Sequence, residues 1–221
     1  MIPLAWPRPT SRPMTWAIIA VLAVALAILT GVVAAGWAPL EAADARVVLA
    51  ADAAMAARAG AVAIVIAVTD VGSPVAVDVF TAVAVVVLLL HHRRREAIYL
   101  VLVRLVALGV ETALKNTLAR PRPDVHPLTT AAGFSFPSGH TTGTTALCVS
   151  LLVVLYPVLH RRGRAVAVVA AVALSAAVAA SRVLLGVHFP SDVIGGLLAG
   201  SLVALTAAAL LLPSRPEAVP R

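Results

Sequence analysis

The chain has 221 residues, of which 61% are hydrophobic and only 12% are charged, with a single cysteine. Soluble domains carry about 45–50% apolar and about 25% charged residues, so this composition excludes a soluble domain, a disordered chain and a disulfide scaffold. The net charge of +7 does not indicate nucleic-acid binding, because the basic residues stand in short runs between apolar segments. Such runs encode membrane topology, and the chain is therefore predicted to be a polytopic helical membrane protein.

The first apolar segment, Thr15–Gly36, is long enough to cross a bilayer as one helix. Trp16 and Trp37 flank it at the spacing expected for the two membrane interfaces. A secretory signal has a shorter apolar region of about 7–15 residues, so the segment is predicted to be an uncleaved anchor.

The segment that follows, Glu41–Ser73, is less regular. Its apolar run Ala59–Thr69 lies between Arg58 and Asp70 and is too short to cross a bilayer alone. We therefore expect a helix that lies on the membrane interface or dips into it.

The rest of the chain contains five more apolar segments, which raise the predicted number of spans to six. These segments are Pro74–Leu90, Ala97–Leu114, His140–Leu159, Ala165–Ser181 and Val193–Leu212. The predicted fold is an all-α membrane bundle. We divide it into an anchor and interfacial region (1–73), a core of five spans (74–213) and a tail (214–221).

The basic residues predict which side each end faces. With six spans, four basic segments share one side of the membrane: Arg8 with Arg12, the run 91–95, the loop 161–164 and the tail with Arg215 and Arg221. The positive-inside rule makes that side cytoplasmic, so both termini are predicted to be cytoplasmic. A seventh span in Glu41–Ser73 would place the later basic loops on the side opposite the N-terminus.

Topology does not explain a second set of polar residues, which all fall at span ends on the predicted outer side. They are Lys115, Arg120, Arg122, Ser138, Gly139, His140, Ser181, Arg182, His188 and Asp192. Cations on the outer side oppose the positive-inside tendency, and ionisable groups at this depth indicate a functional site.

Lys115 alone is typical of a side chain that snorkels at a helix end. The prolines of the run 120–123 stop the helix after it, because a residue before proline is pushed out of the α region. An anion-binding site is indicated by two arginines beside this lysine, Arg120 and Arg122. Guanidinium donates two parallel hydrogen bonds to phosphate, so the three cations resemble a clamp for an anion.

The tetrapeptide Pro137-Ser138-Gly139-His140 precedes a long apolar helix. It fits a turn with an N-cap serine, and it also fits an anion site at a helix N-terminus. Asp192 follows His188 by four residues. The carboxylate could fix one imidazole nitrogen and leave the other free as a nucleophile, or the two could form a structural pair.

Together these residues form a pattern more specific than any one of its parts. Lys115 with Arg122-Pro123, then Pro137 to His140, then Ser181-Arg182 with His188 and Asp192, resembles the three-part signature of the type 2 phosphatidic acid phosphatase superfamily. That superfamily includes lipid phosphate phosphatases, undecaprenyl pyrophosphate phosphatases and soluble vanadium haloperoxidases. The resemblance covers about Pro74 to Leu212.

The resemblance implies a membrane lipid phosphatase and assigns a role to each residue. His188 would attack phosphorus to form a phosphohistidine, Asp192 would orient His188, and His140 would protonate the leaving oxygen and then activate water. The phosphate would be held by Lys115, Arg122, Ser138, Gly139 and Arg182. Three fixed cations make a metal unnecessary, so we expect no metal or other cofactor.

The expected partners are a lipid phosphate and the bilayer, with the site on the extracytoplasmic face of a bacterial-type cell membrane. The pattern leaves open the lipid and the oligomeric state, and a phosphotransferase would share the same intermediate. A proton-coupled transporter is a further alternative, although such carriers commonly show internal repeats. Glu111 is expected to pair with a cation, whereas Arg104 and Asp78 receive no definite role.

Overall fold

The computed structural model describes residues 12–212, and within that range it contains helices and no strand. Arg8, Arg215 and Arg221, which enter the topology prediction, lie outside the described residues. The helices in chain order are α1 (Arg12–Ala34), α2 (Ala38–Ala56), α3 (Ala59–Val71), α4 (Pro74–Leu90), α5 (Arg94–Leu118), α6 (Gly139–Leu155), α7 (Arg161–Leu184) and α8 (Pro190–Leu211).

The predicted all-helical membrane architecture is confirmed, whereas the number of spans is not. Between residues 12 and 212, four helices are long and apolar enough to cross a membrane: α1, α5, α7 and α8. The pair α3 and α4 passes the same test together, although the two helices are bent by 44° at their junction. Helix α6 is apolar but has only 17 residues. The described helices therefore support four or five spans, and six remains a prediction.

The segment predicted to lie at the interface forms two helices instead of one. Helix α2 packs against α7 and α8, and α3 packs against α7. Ser73 ends the segment and starts α4, because its hydroxyl accepts a hydrogen bond from the backbone N–H of Ala76 at 3.2 Å. Both helices thus join the bundle.

The most closely packed pair of helices is α6 and α8, and glycines in α8 allow their approach. A Cβ atom on Gly200 would lie 2.6 Å from the carbonyl oxygen of Thr142, and one on Gly196 would lie 2.9 Å from that of Ser138. Neither space accommodates a side chain, so the backbones of the two helices are in direct contact. This contact fixes the N-terminal ends of α6 and α8 side by side.

Buried contacts from α5 hold the rest of the core. The hydroxyl of Tyr99, which is fully buried, donates to the carbonyl oxygen of Ala204 in α8 at 3.0 Å. Arg104 pairs with Asp78 of α4 at 2.5 Å, so these two residues join neighbouring helices. This ion pair supplies the role that the sequence left undefined for both residues.

The connection between α5 and α6, residues 119–138, folds back over the junction between α7 and α8. The N–H of Leu128 donates to the carbonyl oxygen of Leu185 at 3.0 Å, and the N–H of Ser138 donates to that of Asp192 at 3.0 Å. These two bonds bring the connection against the residues that precede and open α8.

Candidate active site

The candidate site lies where the C-terminal ends of α5 and α7 meet the N-terminal ends of α6 and α8. His140, in the first turn of α6, is within electrostatic range of Lys115, Arg122, Arg182 and His188. The structure therefore brings together residues from all three parts of the sequence pattern. The remaining predicted members, Ser138, Gly139 and Asp192, lie at the starts of α6 and α8.

His188 and Asp192 form the buried centre of the site. Pro190 is the first residue of α8, and this start of the helix turns Asp192 back towards the imidazole. The distance from His188 Nδ1 to Asp192 Oδ2 is 3.4 Å, and the two side chains are 2% and 0% exposed. Asp192 Oδ2 also accepts hydrogen bonds from the Phe189 N–H at 2.8 Å and from the hydroxyl of Ser135.

The other imidazole nitrogen, His188 Nε2, faces the Arg122 guanidinium, with Nη1 at 3.2 Å. Burial lowers the pKa of His188 to about 4, against the opposing effect of Asp192, and the charges of Arg122 and Arg182 lower it further. The imidazole is therefore neutral at neutral pH. With its proton on Nδ1 facing the carboxylate, His188 presents a lone pair at Nε2.

Arg122 ties the α5–α6 connection to the residues before α8. Its Nε donates to the carbonyl oxygen of Gly133 at 3.0 Å and its Nη2 to that of Ala132 at 2.8 Å. Its Nη1 donates to the carbonyl oxygen of Val187 at 2.7 Å. Burial lowers the pKa of Arg122, and the Asp192 carboxylate opposes that effect. Arg122 Nη2 also donates to the carbonyl oxygen of Phe134 at 3.4 Å, so this side chain contacts His188 while it donates to four backbone carbonyls.

Arg182 enters the site from α7 and is almost fully buried, with 3% exposure. Its Nη1 donates to the hydroxyl of Thr69 in α3 at 2.9 Å, while its Nε has no hydrogen-bond partner within residues 12–212. Thr69 was not foreseen from the sequence, because it ends an apolar run without any local motif. A cation buried in this way is fixed in orientation and retains donor capacity.

The start of α6 is close to a second ion pair. Lys115 Nζ lies 3.3 Å from Glu111 Oε1, which is the pairing expected for Glu111. A Cβ atom on Gly139 would overlap the same carboxyl group, so any other residue there would require the Glu111 side chain to move. The Ser138 side chain is buried, and its hydroxyl accepts a hydrogen bond from that of Thr141 at 3.1 Å.

Arg120 requires a correction, since the sequence placed it with Arg122 as an anion clamp. Its Nη1 donates to Asp192 Oδ1 at 2.6 Å, and its Nη2 donates to Asp44 Oδ2 at 2.8 Å. Its guanidinium also lies 4.4 Å from the centre of the Phe189 ring. Two buried carboxylates therefore hold this cation against the protein. Asp44, in α2, is a further site residue that the sequence did not reveal, as is Ser135, whose hydroxyl donates to Asp192.

Other predictions concern the surroundings of the site. Asp124 and His126 are exposed, as expected for solvated residues of the connection. Within the described helices and loops, no group of three or more His, Cys, Asp or Glu side chains is arranged to hold a metal ion. A cavity of about 480 Å³ opens beside Arg122, with Thr129, Thr130 and Val187 in its lining.

Comparison with known proteins identifies relatives of this arrangement. Over 95 residues the chain is 40% identical to phosphatidylglycerophosphatase B of Bacillus subtilis (strain 168), an alignment that covers 41% of this chain and 45% of that protein. Over 103 residues it is 38% identical to decaprenylphosphoryl-5-phosphoribose phosphatase of Mycobacterium tuberculosis, covering 44% and 51%. The chain thus spans about half the length of the curated relatives it matches.

Solved structures show the same fold over a larger part of the chain. The crystal structure of the first transmembrane PAP2 type phosphatidylglycerolphosphate phosphatase from Bacillus subtilis matches with a TM-score of 0.77 and 23% identity, covering 86% of this chain and 93% of that chain. The Aquifex aeolicus LpxE structure matches with a TM-score of 0.52 and 22% identity, covering 66% and 84%. The family model of the PAP2 superfamily matches residues 96–215, more than half of the sequence. The chain therefore belongs to the PAP2 superfamily.

Proposed function

We propose that the protein is an integral membrane lipid phosphatase that removes a terminal phosphate from a lipid phosphate or pyrophosphate. The observation that carries the proposal is the buried His188–Asp192 pair, whose second ring nitrogen, Nε2, lies 3.2 Å from Nη1 of the cation Arg122. A neutral imidazole oriented by a carboxylate is a nucleophile, and an adjacent guanidinium attracts a phosphate to it.

In the first step, His188 Nε2 forms a bond to phosphorus as the bond from phosphorus to the lipid oxygen breaks. His140, in its protonated form, gives its proton to the departing oxygen and becomes neutral, and Asp192 stabilises the positive charge that develops on the His188 ring. In the second step, His140 takes a proton from water, which attacks phosphorus and releases phosphate from His188. Residues His140 and His188 are held together by the contact between α6 and α8.

Charge stabilisation is assigned to three cations and a helix end. The three cations lie within electrostatic range of His140 and are assigned to the phosphate oxygens: Lys115, Arg122 and Arg182. The N-terminus of α6, with Ser138 and Gly139, is assigned to the same phosphate. Arg122 exchanges one of its carbonyl partners for a phosphate oxygen when substrate binds. Since phosphoryl transfer needs mainly positioning and charge stabilisation, the reaction is proposed to proceed without a metal.

We place the site on the extracytoplasmic side of a bacterial-type cell membrane, in a bundle of six spans with both ends cytoplasmic. The support is the distribution of arginines: the runs 93–95 and 161–164 lie at the end of the bundle opposite to the site. The positive-inside rule assigns such basic loops to the cytoplasm.

The substrate class follows from the position of the site at the helix ends and from its relatives. A phosphate at this depth lies near the headgroup level while an acyl or prenyl tail remains in the bilayer. The two relatives are a phosphatidylglycerophosphatase and a phosphatase of a decaprenylphosphoryl phosphoribose. Both names fit a lipid that carries a terminal phosphate.

The test is phosphate release by detergent-purified protein in EDTA, measured with phosphatidylglycerophosphate, phosphatidic acid and undecaprenyl pyrophosphate in parallel. His188→Ala is the inactive variant, and His126→Ala, an exposed histidine of the α5–α6 connection, is the matched control. We expect release from at least one lipid that is lost in His188→Ala and retained in His126→Ala.

The other outcomes are equally informative. Release that persists in His188→Ala would contradict the phosphohistidine mechanism. Release that EDTA abolishes and a divalent cation restores would contradict the metal-independent reaction. Folded protein that forms a phosphoenzyme but releases no phosphate until an acceptor alcohol is added would be a transferase.

A further inference from the structure

Helix α2, which precedes the residues matched by the family model, places a carboxylate inside the candidate site. Asp44 is 2% exposed although it lies on a helix at the periphery of the bundle. A buried carboxylate without compensating partners is strongly destabilising, so the partners of Asp44 indicate why it is buried.

The first partner is the N-terminus of α8. Phe189 occupies the N-cap position and has no polar side chain, while Pro190 has no N–H, so the N–H of Ser191 is the first free donor of the helix. Asp44 Oδ1 accepts this N–H at 3.0 Å, and Asp44 Oδ2 accepts the Ser191 hydroxyl. Asp44 thus caps α8 from another helix.

The second partner is Arg120, which lies between two carboxylates. Its Nη2 donates to Asp44 at 2.8 Å, and its Nη1 donates both to Asp192 Oδ1 at 2.6 Å and to Ser191 Oγ at 2.7 Å. Asp192 therefore shares one oxygen with Arg120 and turns the other, Oδ2, towards His188. Asp44 shares the charge of Arg120 that Asp192 would otherwise neutralise alone.

We infer that Asp44 is a positioning residue for the His188–Asp192 pair, acting through Arg120 and Ser191. This inference rests on the proposed function for its kinetic consequences, but its geometry is independent of the substrate. With the Asp44 charge removed, Arg120 draws the negative charge of Asp192 away from His188, and α8 loses its anionic cap. The nucleophile is then less basic and less firmly oriented.

The charges around His188 come from every element packed against it. They are Asp192 from α8, Arg122 from the α5–α6 connection, Arg182 from α7 and His140 from α6. Arg120 and Asp44 act on this group one step further out, through Asp192. A change at Asp44 removes none of these four groups, and the loss of its effect on the titration of His188 when Arg120 is replaced assigns that effect to the link through Arg120.

The first test is Asp44→Asn, which keeps the size of the side chain and one oxygen that can accept the Ser191 N–H. We expect kcat to fall about 10- to 100-fold while KM stays within about twofold, because substrate binding is untouched and the nucleophile is misplaced. The acidic limb of kcat/KM is expected to move to lower pH. Asp52→Asn, on the same helix, is the matched control and should match the wild type.

The second test changes the middle of the link. Arg120→Gln removes the competing cation from Asp192, so the acidic limb should move to higher pH. In the double variant, the pH shift caused by Asp44→Asn should largely disappear, because Arg120, which transmits the effect to Asp192, is absent. Additive shifts, or an acidic limb that stays in place in both single variants, would overturn the inference even if activity falls.

A spectroscopic titration separates this inference from the proposed function. The ring C–H signal of His188, identified by its loss in His188→Gln, can be followed against pH in substrate-free detergent-solubilised protein. A pKa of His188 that is lower in Asp44→Asn and higher in Arg120→Gln supports the link, and an unchanged pKa overturns it. If the wild-type protein released no phosphate from any lipid, only the proposed function would fail.

Discussion

The two ends of the helical bundle use arginine in opposite ways. At the site end, Arg182 is buried and Arg120 lies between two buried carboxylates. At the other end, Arg94, Arg95, Arg161 and Arg162 are exposed. The partners that arginines have at that end include the carboxylate of Glu96, 3.0 Å from Arg93, and the backbone oxygen of Tyr156, 3.0 Å from Arg164.

The same residue type therefore stands in two different environments at the two ends. Exposed cations in a basic loop act on the membrane as a whole and set orientation. Cations held by several directional hydrogen bonds in a buried site are fixed in advance for a single anion. Substitutions at the two ends should therefore differ in kind, and the expected effects below are ordered from largest to smallest.

The largest effect is expected for His188, the proposed nucleophile. His188→Ala should lower the rate of phosphate release by at least about 1,000-fold, because the proposed phosphohistidine can then not form. Arg162→Ala, at the opposite end, should leave the rate within about twofold. The measurement is phosphate release from the same lipid by the two variants, at equal amounts of folded protein. Comparable losses in both variants would remove the distinction between the two ends.

Arg182→Lys should come next. The substitution keeps the charge but removes the planar fork that donates to Thr69, and we expect a loss of about 100-fold in kcat/KM, the size seen when one charge-stabilising donor is removed. Arg162→Lys is the matched substitution in the basic loop and should leave kcat/KM unchanged. A silent Arg182→Lys would show that its charge alone is sufficient.

The pH dependence sharpens the comparison through His188. Its pKa of about 4 means that the reactive neutral form is present throughout the range near neutrality and is lost as the pH falls through about 4. On this limb, kcat/KM should fall about tenfold per pH unit below that value, and no loss from His188 should occur near pH 6.5. Steady-state rates in EDTA, with protein stability checked at each pH, test this. A limb near pH 6.5 that disappears in His188→Gln would contradict it.

A smaller effect is expected for Thr69, which contacts the site only through Arg182. Thr69→Val removes the hydroxyl that accepts from the guanidinium, and should lower kcat/KM about tenfold, since hydrogen bonds to charged groups contribute about 1.5–3 kcal/mol. Thr69→Ser keeps the acceptor and should retain most of the activity. Equal losses in both variants would indicate that packing of α3, and not the hydrogen bond, is responsible.

The smallest effect is expected at the basic end. Arg93 and Glu96 form an ion pair whose side chains are each 20% exposed. Replacing both by alanine should change the free energy of unfolding by no more than about 1 kcal/mol and leave phosphate release unchanged. Thermal unfolding in detergent measures the change in stability. A large loss of activity would extend the functional region beyond the site end.

The sequence allowed the main part of the site to be predicted because every motif stands at the end of an apolar segment. Successive helices run antiparallel, so Lys115, His140 and His188 must meet at one end of the bundle, and they do. The number of spans was harder, because α6 is short and α3 joins α4 at a bend. Hydropathy alone does not separate these cases.

What the sequence did not reveal are single residues far away along the chain. Asp44 and Thr69 lie on helices without a motif, and their partners Arg120 and Arg182 are more than 70 residues away. No local pattern encodes such a contact. The same limitation explains the error at Arg120, whose neighbour Arg122 was assigned the same role although Asp44 and Asp192 hold only the former.

The glycine contact between α6 and α8 has a consequence for motion. A Cβ atom at Gly196 or Gly200 would overlap backbone atoms of α6. At these positions the two helices therefore pack backbone against backbone, with no side chain between them. They cannot slide past one another without separating, so His140 and His188 travel as one rigid block. Any opening that admits a lipid is therefore expected to come from helices outside this pair.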